Sequence, residues 1–358
     1  GNKACWEISK VTRRLRRRPT LCQREREREA EASRRHTSET SWEFAQTVGS
    51  STDRGQQSML GRMAGKETWK LASDKVSPIL TGGLNAFLSK YWARAPTAGL
   101  AMDFLENQQK GNLYFDHFAF RTFGMNGCGI DSLASTLQSF GYERRDNLIF
   151  KQKKLNAYWF APPVPELPRI FISELQVEAF SDQVQEIIGK YTKQASPASD
   201  HMFLSGSLGV LPWKTPALED FKALAEVSEY AAWTLVNGYS LNHTTISVHN
   251  LSRMNEIEDL VRGLEGADFK LNSSGGVVKT SPDGGLRQIS TLADTFDFEF
   301  EGGKVVPVSG PYIEFAQRLV LPEFSHLPED QIEEHHRRDG FEQGNADKIF
   351  ESTQVGGS

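Results

Sequence analysis

Between Asn112 and Phe123 the chain reads NLYFDHFAFRTF, and its side chains alternate with period two. Phe115, His117, Ala119 and Arg121 share one face of a predicted strand; Tyr114, Asp116, Phe118 and Phe120 share the other. Ahead of it, WKLASDKVSPILTGGLNAFLSKYWARAPTAGLAMDFLE repeats its apolar residues near the helical period, which predicts two or three helices interrupted at Pro78 and Gly82–Gly83. Behind it, the turn GMNGCG leads into a short helix, IDSLASTLQSFG, ended by Gly141. Three strand-like runs follow: Leu148 to Lys154, NAYWFAPP and PRIFISELQV. The same order returns in LNHTTISVHN, the helix NEIEDLVRGLEG, and the runs FKLNSSGGVVKTS, LRQISTLADTFDFEF and GPYIEFAQRL. The expected fold class is therefore α+β, built from paired β-α-β-β-β modules at about residues 112–177 and 240–320. Residues 178–239 between them read as helices (DQVQEIIGKY and LEDFKALAEVSEYAAWTLV) around a polar loop containing Pro197, expected on the outside of the sheets; PEDQIEEHHRRDG reads as a polar helix.

Composition narrows the class. The 358 residues are 38% hydrophobic and 24% charged, and no apolar run is long enough to cross a bilayer. The formal charge of −5 lacks the basic excess that nucleic-acid binding requires. That average hides a basic head: residues 1–55 carry thirteen Lys or Arg against eight Asp or Glu. With its Ser/Thr-rich continuation, the head, residues 1–65, is expected to be an organellar transit peptide, although the acids at Glu25, Glu27, Glu29 and Glu31 are foreign to such peptides; a solvated extension is the alternative. Residues 66–354 form the expected catalytic domain. Three cysteines without a C-x-x-C pair suggest a reducing compartment.

Candidate chemistry then concentrates on few residues. His117 and His243 lie on the first strand of each module, so equivalent positions bring two imidazoles toward one cavity. Glu314 interrupts the otherwise apolar last strand, YIEFAQR, and a buried carboxylate needs a partner. Two histidines and one carboxylate form a facial triad that leaves positions open on iron(II), and zinc accepts similar ligands. Glu174, in FISEL, is read as matching Glu314 in the first module, where it orients a ligand from behind, serves as a fourth ligand or forms a plain salt bridge. Arg121 follows His117 by four residues on the same face, its Cα about 13 Å away at roughly 3.3 Å per residue; a guanidinium there suits the far carboxylate of a dicarboxylic substrate, the alternative being an arginine that meets solvent or a structural acid. Asp116 is placed on the opposite face, orienting the chain or pairing at the surface. Neither a nucleotide-binding glycine motif nor a G-x-S-x-G nucleophile is present.

Taken together, FDHFAFRTFG, GIDSLASTLQSFGY, YWFAPP, ISELQV, SLNHTTISVH, GPYIEFAQR and RRDGFEQGNADKIFEST resemble the 2-oxoadipate dioxygenase/decarboxylase family, most of all its short, plant-type members, from about Lys66 to Gln354. The resemblance implies a fold related to the vicinal oxygen chelate proteins, in which paired modules form an open, barrel-like sheet around one metal with added helices. It implies Fe(II) held by His117, His243 and Glu314, a substrate-binding Arg121, and conversion of 2-oxoadipate and O2 into 2-hydroxyglutarate and CO2 in lysine breakdown. It implies a small 2-oxo dicarboxylate and O2 as partners and a plastid location, with the cytoplasm as alternative. Two other readings stay open: a non-redox metal-dependent lyase or isomerase of this fold, and a non-catalytic plastid protein with a structural metal.

Overall fold

Pro78 begins a helix instead of interrupting one. In the computed structural model, which describes residues 69–108, 111–195 and 199–354, Ser77 caps helix α1 (Pro78–Arg94) by accepting from the Ile79 amide, with Pro78 in the first turn where its missing N–H costs nothing. The helix runs on through Gly82 and Gly83. Gly83 admits the Phe203 ring, which lies 2.5 Å from where a Cβ would stand. Helix α2 (Pro96–Gln108) again starts on proline. The basic head and Pro197 lie outside the described residues.

The first module follows as β1 (Phe115–Phe123), α3 (Asp131–Ser139), β2 (Glu143–Phe150), β3 (Leu155–Ala161) and β4 (Arg169–Leu175). Gly141 closes α3 at φ 94°, the left-handed conformation that glycine adopts without strain. Helices α4 (Asp182–Thr192), α5 (Ser199–Leu208), α6 (Leu218–Ala225) and α7 (Glu229–Asn237) lead to the second module. The predicted single helix over LEDFKALAEVSEYAAWTLV divides at Ser228, whose hydroxyl caps α7 by accepting from the Ala231 amide. The second module comprises β5 (Leu241–Ser247), α8 (Ile257–Gly266), the two-residue β6 (Lys279–Thr280), β7 (Leu286–Ser290), β8 (Thr295–Glu299), β9 (Val305–Ser309) and β10 (Tyr312–Arg318); α9 (Gln343–Ile349) comes last. The run LRQISTLADTFDFEF is thus two strands, and β8 leaves the main sheet to pair with β9 as a separate ribbon. PEDQIEEHHRRDG forms two 3-10 turns, Glu329–Gln331 and Glu334–His336, because a single apolar residue, Ile332, supplies no helical stripe to bury.

The main sheet runs β2-β3-β4-β1-β5-β10-β7-β6. Its order is that of two modules joined back to back. β1 and β5 pair antiparallel at the centre, and each has the last strand of its own module, β4 or β10, parallel on its other side. One face is covered by α1, α2, α3 and α8, whose apolar residues cluster with Phe118, Phe120, Ile170, Ile172, Ile313 and Phe315. The other carries the candidate site. Contrary to the expectation that the insert lies outside, α4 and α7 pack on this second face, in a cluster with Ala119, Phe123, Trp159, Phe171 and Phe350. Helix α7 is buried from Tyr230 through Asn237, as its apolar residues lie all round it. Among the described residues no helix is long and apolar enough to cross a membrane.

Candidate metal centre

Strand register brings the three predicted ligands together. Thr245 pairs with His117 on one side and with Glu314 on the other, so His117, Thr245 and Glu314 form a row across β1, β5 and β10. His243 lies one pleat along β5, between Ala119 and Tyr312. Its Nε2 is 3.4 Å from His117 Nε2 and 3.1 Å from Glu314 Oε2, and Oε2 is 3.7 Å from His117 Nε2. All three residues are buried, and their donor atoms lie within 4.8 Å of one another. Donors about 2.1 Å from a common ion and at right angles to each other stand about 3 Å apart, so this set fits one metal bound on one face.

Protonation favours the same reading. Burial would push the Glu314 carboxyl up, but His117 and His243 outweigh it and hold its pKa at about 2. Its other oxygen, Oε1, accepts from Gln288 Nε2 at 2.5 Å, and Gln288 Oε1 accepts in turn from Asn345 Nδ2 at 2.9 Å. Behind the histidines, Asp116 Oδ1 is 2.8 Å from His117 Nδ1 and Asn242 Oδ1 is 3.0 Å from His243 Nδ1. A carboxylate accepts only, so His117 carries a proton on Nδ1, and its Nε2, once deprotonated, is the nitrogen that faces inward. Burial opposes the charge on Asp116, yet Arg318, His117 and Arg169 keep its carboxyl well below the usual range. Thr245 Oγ1 lies 3.0 Å from His117 Nε2, within reach to donate to it.

Asp116 therefore is not a surface or opposite-face residue. Strict alternation fails there because it is the extra residue of a β-bulge, and a bulge re-aims its side chain. Glu174 also departs from expectation. β1 and β4 pair without a shift, which sets Glu174 opposite Thr122, on the face away from His117. Its Oε2 accepts from the Ile130 amide at 2.9 Å ahead of α3, and Oε1 from Asn156. Gly129 has no Cβ because one would stand 2.3 Å from that Oε2. The first-module counterpart of Glu314 is Phe171: two residues beyond His243, Thr245 pairs with Glu314, and two beyond His117, Ala119 pairs with Phe171.

Arg121 is fully buried on the site face, under Tyr230 and Trp233, with its guanidinium carbon 4.9 and 5.0 Å from their ring centres. Nη1 donates to both Glu229 oxygens at 3.1 and 3.2 Å, and Nη2 to Thr353 Oγ1 at 2.8 Å. Nε is buried without a partner. A cavity of about 260 Å³ borders Arg121, Lys153, Glu229 and Phe350; the space at the three donor atoms is only about 20 Å³, walled by Phe171, Phe341, Ala346, Ile349 and Phe350. Phe350 borders both. Sequence reasoning missed Gln288, Asn345, Glu229 and these aromatic walls.

A family model described as 2-oxoadipate dioxygenase/decarboxylase matches residues 98–327. The chain belongs to that family. The chloroplastic 2-oxoadipate dioxygenase/decarboxylase of Arabidopsis thaliana is 52% identical over 275 residues, 74% of each chain, and the chloroplastic/amyloplastic enzyme of that name from Oryza sativa is 50% identical over 274 residues, 74% of this chain and 75% of that one. Among solved structures, a hydroxyglutarate synthase from Oryza sativa in complex with 2-oxoadipate has a TM-score of 0.77 and 46% identity, covering 80% of this chain and 95% of its own. A putative glyoxalase superfamily protein from Ralstonia eutropha, 19% identical, covers 77% and 93% with a TM-score of 0.57, which shows a shared fold. The family resemblance and the mixed α+β, vicinal-oxygen-chelate-like fold are thus borne out.

Proposed function

We propose that this chain is a metal-dependent dioxygenase that converts 2-oxoadipate and O2 into 2-hydroxyglutarate and CO2, with iron(II) on His117, His243 and Glu314. The observation that carries the reading is the convergence of two imidazole nitrogens and one carboxylate oxygen at a buried point, on the same sheet face as an arginine with an unpartnered Nε. The names of the plant relatives, and the 2-oxoadipate bound in the rice structure, point to the substrate.

When bound, iron supplies the O2 chemistry. The chain's own residues supply the rest. Gln288 occupies one oxygen of Glu314 and leaves a single donor, so His117, His243 and Glu314 would hold the metal with three donors, a set that would leave room for substrate. Arg121 receives the distal carboxylate on its Nε and Nη2 edge, with Glu229 holding Nη1 and Thr353 yielding or sharing Nη2. That would fix the substrate's own α-carbon, and not an external molecule, beside the place where the metal would be held. Phe171, Phe341 and Phe350 exclude water from the reacting end.

The test is iron loading without oxygen, followed by O2-electrode assays across 2-oxo acids of four to seven carbons. One O2 consumed per CO2 released, with 2-oxoadipate preferred, is expected. Turnover without O2 uptake overturns the reading in favour of a lyase or isomerase. A plastid location is part of the proposal, and residues 1–65 fused to a fluorescent reporter test it; a diffuse cytosolic signal refutes it.

A further inference from the structure

The residue before each candidate histidine ligand occupies a β-bulge. Pairing between β1 and β5 steps from Phe115 with Ile246 to His117 with Thr245, which leaves Asp116 as the extra residue on β1. It steps again from Ala119 with His243 to Phe120 with Leu241, which leaves Asn242 as the extra residue on β5. Bulges next to functional sites re-aim side chains, and here both turn onto the Nδ1 of the histidine that follows. The two modules have built one support twice, with a carboxylate in the first and an amide in the second.

Their anchoring differs as much as their charge. Asp116 accepts from Arg318 Nε at 2.6 Å and Nη2 at 2.9 Å, and Arg169 Nη1 is 3.7 Å away. Arg318 is itself fixed, donating from Nη1 to the Arg338 and Gly340 carbonyls. Asn242 Nδ2, by contrast, is buried without a partner. An arginine-locked carboxylate both orients an imidazole and makes it a better electron donor; a half-satisfied amide does so weakly.

We propose that Asp116 is the positioning residue of the metal centre, making His117 the rigid, electron-rich ligand and His243 the softer one, and thereby setting the metal's affinity and redox poise. This rests on the metal reading above. Charge donated toward the ion favours the oxidised state, so the carboxylate lowers the Fe(III)/Fe(II) potential and an amide in its place raises it.

The experiment uses the full chain. Co(II) is titrated into the apoprotein against a chelator, and the midpoint potential is measured on the iron-loaded protein, for Asp116→Asn, Asn242→Asp and Asn242→Ala. Asp116→Asn is expected to weaken Co(II) binding about 10–100-fold and to raise the potential, Asn242→Asp to lower the potential, and Asn242→Ala to weaken binding by less than Asp116→Asn does. Because Asp116→Asn strands the Arg318 charge, the double variant Asp116→Asn with Arg318→Met is read the same way, and apoprotein melting identifies any variant that fails to fold. Wild-type affinity and potential in a folded Asp116→Asn or double variant overturn the proposal; if neither folds, an unmoved potential in Asn242→Asp does so. A wild-type chain that binds no Co(II) overturns the metal reading itself, and this inference with it.

Discussion

Gln288 donates to Oε1 of Glu314 at 2.5 Å, so the carboxylate presents a single oxygen, Oε2, to the two histidines. A free carboxylate can take a metal with both oxygens and so use up a position needed by substrate. Gln288 sits on β7 beside Ala316 of β10, and Asn345 of α9 fixes its amide from the far side. Gln288→Leu is expected to keep the fold, weaken metal binding about tenfold or more as outer partners of ligands do, and lower turnover further, because the freed carboxylate blocks an open position. Metal titration and O2 uptake on the same preparation check this; equal losses in both would show that Gln288 merely anchors Glu314.

His243→Ala is expected to abolish iron retention and activity. Residues Leu241–Ser247 are hydrogen-bonded between β1 and β10 whatever that side chain is, so the circular-dichroism spectrum should be unchanged. Full metal stoichiometry in the variant would refute the ligand assignment.

Arg121→Ala is expected to cost about 2–5 kcal/mol in kcat/KM for 2-oxoadipate, by analogy with a broken buried charge pair, and to leave metal content unchanged. Its folding cost should be smaller, because the partner it strands, Glu229, is 31% exposed and regains water. Lysine should rescue poorly, since it cannot offer a planar, forked contact. A monocarboxylic 2-oxo acid of similar length should lose far less than 2-oxoadipate; equal losses for both would show that Arg121 does not read the distal carboxylate.

Acid should strip the metal through His117. Burial pushes this imidazole down, but Glu314 and Asp116 outweigh burial and raise its pKa above the ordinary 6.5. Below that raised value a proton holds Nε2, and metal affinity should fall about tenfold per pH unit. Glu314, at about 2, stays ionised throughout and adds nothing to the slope. The apoprotein should show the opposite sign: the stability His117 contributes is complete below 6.5 and disappears as pH rises through its folded value. Chelator competition and apoprotein melting between pH 5 and 9 check both signs.

The candidate ligand positions are legible in the sequence because they obey the simplest rule available. His117 stands on a strand of clear period two, His243 at the matching place in the repeated module, and Glu314 is the carboxylate that interrupts an apolar run. What stayed hidden depends on register or on distant segments. Two bulges disguised Asp116 and Asn242, since each moves its side chain out of the face that counting by twos assigns. By its place in ISEL, Glu174 looks like the counterpart of Glu314, whereas strand pairing puts it on the opposite face. Helix α7 was assigned to the outside although its apolar residues lie all round it, and Glu229, Phe341 and Phe350 reach the site only through tertiary packing.

Phe171 gives the duplication its meaning. Two modules repeated faithfully around the β1–β5 seam would offer four donors, a histidine and a carboxylate from each, and four donors complete the sphere of a tetrahedral ion. Placing a phenyl ring at the fourth station leaves the pair of modules lopsided. The ring cannot donate, and it borders the cavity where the missing donor would have reached. On the proposed reading, reactivity comes from subtraction: one hydrocarbon side chain, breaking the symmetry of the two modules, keeps open a place that a fourth donor would close.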